Sequence, residues 1–145
     1  MYDAILVATD GSETAAEAVE HAIELARQVD ATLSAIAVLE SRTEYDNAIV
    51  DPETVDRRRR EQAAATLGEI VESGDDAGVQ VETAIRNGVP SEEIVAYADE
   101  QAVDAIVIGA RGRSSLRGAL LGSTVDRVVR TAPQAVLVVG GDSSQ

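Results

Sequence analysis

Between Ala105 and Val125 the chain carries no aspartate or glutamate. It places three arginines there, Arg111, Arg113 and Arg117, among Gly109, Gly112, Gly118 and Gly122 and ahead of Ser123-Thr124. The rest of the chain is acidic. There are 26 Asp+Glu against 12 basic residues, every one an arginine, for a net charge of -14, so the residues outside this stretch carry -17. So negative a chain repels phosphate at long range, and a +3 island is what an anion site inside it needs. A glycine-rich basic loop that runs into a helix start offers phosphate oxygens both guanidinium groups and outward-pointing backbone N–H groups. Glycines there would let the backbone approach a ligand and take positive φ. Ser123 and Asp126 read as a Ser-x-x-Asp capping box that fixes the helix end. One carboxylate stands out elsewhere: Asp10, before Gly11-Ser12, at the end of the first apolar run. Across a cleft from a bound phosphate it could coordinate a divalent cation or accept a hydrogen bond from a ribose hydroxyl.

Much other chemistry is excluded. Without lysine there is no Schiff base, and a Walker A loop is impossible. Without cysteine there is no disulfide framework, thiol nucleophile or thiolate zinc site. His21 is the single histidine, which rules out a multi-histidine metal site, and its neighbours Glu17, Glu20 and Glu24 mark it as a solvated residue of a helix. A dinucleotide fingerprint needs three spaced glycines after an early strand, where Asp10-Gly11-Ser12 supplies one. No Gly-x-Ser-x-Gly elbow of a hydrolase occurs, and the paired acids and late lysine of a receiver domain are missing. The negative charge argues against nucleic acid and anionic membranes as partners. No apolar run approaches a membrane span, and no basic region precedes Ile5 to Ala8, so the expected location is the cytoplasm. High acid content without lysine fits a halophile, where salt screens surface charge.

Elements must position these groups, and their periods are legible. Asp3 to Thr9 is a short aliphatic run of strand length. Glu13 to Gln28 follows with helical spacing of Ala16, Val19, Ile23 and Ala26, glutamates on another face and Ser12 as N-cap. Ala31 to Leu39 reads as a buried strand and residues 40–53 as a polar connection. Thr54 to Glu72 is helical, with Val55, Ala63, Leu67, Ile70 and Val71 facing inward and Asp56 spaced to pair with Arg60. The run Arg57-Arg58-Arg59-Arg60 is flanked by acids and its members diverge around a helix, which makes it a solvated face. Ser73 to Gly78 is a turn and Val79 to Ile85 a strand with one less buried face. Pro90 to Gln101 is a helix, and Asp104 to Gly109 a fourth strand. A loop over Arg111 to Leu121 precedes a short helix from Ser123 to Arg130 and a last strand, Ala135 to Val139. At 45% hydrophobic residues with three Tyr and neither Phe nor Trp, the core is built from Val, Leu, Ile and Ala.

Aliphatic strands that alternate with helices define a single α/β domain over residues 1–145, an open parallel five-stranded sheet covered on both faces. Right-handed crossovers favour a doubly wound sheet of order 3-2-1-4-5. The ends of its first and fourth strands, Thr9-Asp10 and Gly109-Ala110, then flank the topological switch point where such sheets bind ligands.

At its basic loop the chain resembles the universal stress protein family, in its ATP-binding branch. The family pattern is Gly, two residues, Gly, nine residues, then Gly-Ser/Thr. Here Gly109 and Gly112 bracket two residues, Arg113 to Leu121 supplies nine, and Gly122-Ser123 follows. The likeness continues from Thr124 to Arg130, through Ala132-Pro133 and Val136 to Val139, and covers residues 5–12 and Gly88-Val89-Pro90. It implies the adenine nucleotide alpha hydrolase-like fold and a bound ATP, AMP or ADP accompanied by Mg2+ or Mn2+. Ala8, Thr9, Asp10, Gly11 and Ser12 would meet the nucleotide, with Asp10 against ribose and phosphates and near the metal. Thr9 and Val38 would frame adenine. Gly109, Arg111 and Gly112 would touch ribose and phosphates, and Gly122, Ser123 and Thr124 would hold the phosphates. Family members pair into homodimers through the last strand, here Ala135 to Val139, whose uncharged edge suits that use. Two positions depart from the family's usual residues: Ala37, where a histidine is frequent, and Ala135, where a proline is.

The resulting expectation is an ATP-binding stress-response regulator or nucleotide-dependent switch, with a regulatory protein partner left unidentified. Three rivals stay open: a slow ATPase with Asp10 orienting water, an AMP- or cyclic-AMP-binding protein, and an interaction scaffold that binds no nucleotide. A lone carboxylate without lysine or histidine support argues for binding over catalysis.

Overall fold

The computed structural model describes residues 2–40, 52–111 and 121–140. Nine elements alternate along them: β1 (Ala4–Ala8), α1 (Glu13–Val29), β2 (Thr32–Leu39), α2 (Pro52–Ala77), β3 (Val81–Asn87), α3 (Pro90–Glu100), β4 (Ala105–Gly109), α4 (Ser123–Thr131) and β5 (Ala135–Val139). The five strands form one sheet of order β3-β2-β1-β4-β5, every pairing parallel. This is the doubly wound topology read from the sequence.

The two-residue period of the strands divides the core. Ile5 and Val7 of β1 face one side with Leu33 and Ala35 of β2, under Ala18, Ala22 and Ala26 of α1 and Leu67 and Ile70 of α2. Leu6 and Ala8 face the other with Ile36, Ile106 and Ile108, under Ile94, Tyr97 and Ala98 of α3 and Val125 and Val128 of α4. The outer strand β3 is only half-buried along its length, as the mixed sequence of Val81 to Asn87 requires. The starts of β1 and β4 are tied by Asp104, whose Oδ2 accepts hydrogen bonds from the backbone N–H groups of Asp3 (2.7 Å) and Ala4 (3.0 Å). Those two donors hold its carboxyl below the ordinary carboxylate value.

Three local readings are corrected. The helix α2 runs to Ala77 and absorbs most of the turn expected from Ser73 to Gly78. Gly74, part of that expected turn, is buried where a Cβ would collide with the Val81 side chain, so it serves close packing. The turn is made by Gly78 at φ 77°, and β3 begins at Val81 instead of Val79. In α1 the inward stripe is Ala15, Ala18, Ala22, Ile23 and Ala26, and Ala16 is exposed. The α4 capping box is absent. The N-cap is Gly122, so Ser123 lies one position too late to cap, and Asp126 Oδ2 accepts from Arg130 Nε at 2.9 Å. Among the described residues no helix is long and apolar enough to cross a membrane.

Candidate functional site

β1 and β4 lie side by side, and the chain leaves their C-terminal ends toward opposite faces of the sheet, into α1 and α4. The diverging loops open a crevice that their own hydrogen bonds shape. Thr9 N–H continues the ladder by donating to the Ile36 carbonyl at 3.0 Å. Asp10 Oδ1 accepts from Ser12 N–H at 2.9 Å, Thr9 Oγ1 accepts from Gly11 N–H at 3.2 Å, and Gly11 takes φ 83°. This tight turn aims the chain into α1, whose first turn is capped by Ser12 Oγ accepting from Ala15 N–H. Across the crevice, Ala110 N–H donates to the Val139 carbonyl at 2.8 Å and Gly122 N–H to the Ala110 carbonyl at 2.9 Å. The second bond brings the start of α4 back to the end of β4, although thirteen residues of sequence separate the two elements.

One cavity of about 370 Å³ occupies this crevice. Ala8, Thr9, Asp10, Gly11, Val38, Gly109, Arg111, Gly122, Ser123 and Thr124 all line it. Residues from four separate stretches of sequence, chosen for their chemistry, therefore share one space. Ser12 does not line it; its hydroxyl is spent on the α1 cap. Gly112, Arg113 and Arg117 lie outside the described residues. Gly109 has a role the sequence did not disclose. A Cβ there would sit 2.9 Å from the Thr14 carbonyl oxygen and from Thr14 Cγ2, so its smallness admits α1 against β4.

The wall formed by α2 was missed. Arg59, Gln62, Ala63 and Thr66, at helical spacing, line the same cavity. Of the four consecutive arginines, Arg59 alone turns inward, with a side chain 21% exposed. Its Nη2 donates to the Glu40 carbonyl at 2.9 Å, and Nη1 lies 3.8 Å from Asp56 Oδ1. The Asp56 pairing expected with Arg60 is therefore made with Arg59, one residue earlier on the helix. A signal was available: Arg59 stands four residues before Ala63, eight before Leu67 and eleven before Ile70, on the inward stripe itself.

The cavity has an apolar floor that includes Ile36, Ile94, Ile108 and Val125, two carboxylates, Asp10 and Glu40, and two guanidinium groups, Arg59 and Arg111. The start of α4 forms one end, and no side chain caps it. Its backbone N–H groups and the positive end of its dipole are suited to an anion, while the floor suits a flat apolar group. Among the described residues no three His, Cys, Asp or Glu side chains gather to hold a metal ion.

A doubly wound parallel sheet with a polar cavity at its switch point defines an α/β ligand-binding domain. The sequence model described as the universal stress protein family matches residues 1–140, and the chain belongs to that family. It is 34% identical over 140 residues to universal stress protein MJ0531 of Methanocaldococcus jannaschii, covering 96% of this chain and 82% of that one. The solved structure of MJ0577 from the same organism superposes with a TM-score of 0.86 at 31% identity, covering 99% of each chain. Two further structures contain nucleotides. A universal stress protein in complex with cAMP has a TM-score of 0.76 at 28% identity, over 97% of this chain and 99% of that one. The universal stress protein of Archaeoglobus fulgidus in complex with dAMP has a TM-score of 0.70 at 25% identity, over 96% and 98%.

Proposed function

We propose that this protein binds an adenine nucleotide in the switch-point cavity and acts as a nucleotide-dependent regulator in the response to stress. The observation that carries the reading is the convergence, in one space, of the Thr9–Gly11 turn, Val38, Arg111 and the uncapped start of α4. Adenine would lie on the apolar floor between Thr9 and Val38, ribose near Asp10 and Gly109, and phosphate against Arg111 and the N–H groups at Ser123 and Thr124. Complexes of two family members with cAMP and dAMP support adenine as the base and favour, as a second reading, a monophosphate over ATP. With ATP, Mg2+ or Mn2+ would be held chiefly by phosphate oxygens, with Asp10 as the carboxylate expected to assist. The reading is one of binding; slow hydrolysis would rest on Asp10 orienting water without help from lysine or a nearby histidine.

The expected assembly is a homodimer through β5, an edge strand whose Leu137 is 42% exposed. The acid surplus suits a cytoplasm rich in salt. Calorimetry with AMP and with Mg-ATP tests the central reading. Wild-type protein should bind with one site per chain. Gly122→Leu, which crowds the amides that open α4, should weaken binding by about tenfold or more, the value of one or two charge-assisted hydrogen bonds. Absence of heat with both nucleotides overturns the proposal.

A further inference from the structure

The sheet order gives the switch-point cavity two ends. β2 and β4 flank β1 on opposite sides, two strand spacings, about 10 Å, apart. The groups suited to phosphate, Arg111 and the start of α4, stand at the β4 end. A base then lies toward the β2 end, and there the wall is α2. The bond from Arg59 Nη2 to the Glu40 carbonyl, at 2.9 Å, fastens the first half of α2 beside the end of β2, while Leu67 and Ile70 farther along pack into the core. Helical side chains lean toward the N-terminus of their helix, here toward the cavity mouth, so Gln62 reaches back over the turn that holds Arg59. Ala63 beside it is small and half-buried, which leaves room for a flat ring against this wall.

We propose that Gln62 reads the edge of the base and selects adenine over guanine. Its amide sets an acceptor and a donor side by side, the complement of the adenine N6 amino group and N7. Guanine carries acceptors at both places, O6 and N7, so either orientation of the amide opposes one acceptor to another. The other polar side chains of this end do not offer the same pair. Glu40 can accept from N6 but cannot donate to N7. Thr66, one turn farther along α2, brings a single oxygen that cannot meet both atoms at once. An arginine would favour guanine, to whose O6 and N7 it can donate twice, but Arg59 is engaged by the Glu40 carbonyl and lies 3.8 Å from Asp56. The inference rests on the adenine-nucleotide reading and deepens it to the choice of base.

The test is calorimetry on the whole chain with AMP, GMP and two analogues: 7-deaza-AMP, in which a C–H replaces N7, and purine riboside 5′-monophosphate, which lacks the N6 amino group. Wild type should bind AMP more tightly than either analogue by about threefold to tenfold, the value of one neutral hydrogen bond, and should bind GMP more weakly still. Gln62→Leu should bind AMP and both analogues within about twofold of one another, with the gap to GMP narrowed. Gln62→Glu, which keeps the acceptor and loses the donor, should still discriminate against the analogue without N6 and no longer against 7-deaza-AMP. These ratios report on single ligand atoms, whereas a general loosening of the site would move all the affinities together and leave the ratios unchanged. AMP bound with no preference over the analogues, or a preference that persists in Gln62→Leu, overturns the inference and leaves the nucleotide reading intact. Failure of AMP to bind wild type overturns that reading, and the inference with it.

Discussion

Gly109→Ala separates two roles that one glycine could have at the mouth of the site. Its ideal Cβ would lie 2.9 Å from the Thr14 carbonyl oxygen, 2.9 Å from Thr14 Cγ2 and 3.0 Å from the Thr14 carbonyl carbon. Two of these three atoms are backbone, and they belong to the first turn of α1, which is pinned by the Ser12 cap and by Ala16 N–H donating to the Ser12 carbonyl at 3.0 Å. Relief therefore requires the start of the helix to retreat from the sheet by about half an ångström, an overpacking strain of about 1–3 kcal/mol. For a domain of this length that corresponds to a fall in Tm of about 3–10 °C. Asp10 and Gly11 move with the helix start, so nucleotide affinity should fall as well. Thermal and urea denaturation of the variant, alongside calorimetry with AMP, measure both effects. Adding Thr14→Ser removes Cγ2 but leaves the backbone contacts, so it should restore only part of the lost stability. A Gly109→Ala protein that melts within about 1 °C of wild type yet loses nucleotide binding would refute the packing argument. It would return this glycine to the role of admitting the ligand.

Other predictions follow from single observations. Two glycines of α2 should respond in opposite directions. Gly68→Ala, with nothing within 4 Å of the new methyl, should stabilise by about 0.5–1 kcal/mol, whereas Gly74→Ala should destabilise by collision with Val81, as urea midpoints would show. Asp104→Asn should lower Tm at pH 7. Because the folded carboxyl titrates below its ordinary 3.8, its stabilisation is complete above that value and is lost as pH falls through the folded one; the Tm gap should close in strong acid. Leu137→Arg on the exposed face of β5 should convert a dimer to a monomer in light scattering, without loss of the fold; an unchanged mass would place the interface elsewhere.

The sheet was legible because every strand but the outer β3 is a largely aliphatic run and each crossover a helical period, and a parallel five-strand sheet of that kind has few allowed orders. The switch point then brought Thr9, Asp10, Arg111 and Ser123 together without further information. Arg59 was hidden by its neighbours: four arginines between Asp56 and Glu61 resemble a solvated face, and only the phase set by Ala63, Leu67 and Ile70 singles one out. Gly74 and Gly109 illustrate a different obstacle. A glycine needed for tertiary contact has no local signature to distinguish it from one that breaks a helix or admits a ligand. At α4 the helix begins one residue earlier than a capping box requires, so Gly122 occupies the cap and Ser123, the first helical residue, lines the cavity.

The central claim is that the switch-point cavity is an adenine-nucleotide site. Amide NMR of the whole chain titrated with AMP and then with Mg-ATP tests it most directly, because it reports position as well as affinity. The account predicts saturable shifts, one nucleotide per chain, concentrated at residues 9–11, 38–40, 109–111 and 122–124. Shifts that are absent, that fail to saturate, or that gather on another face of the sheet would contradict it.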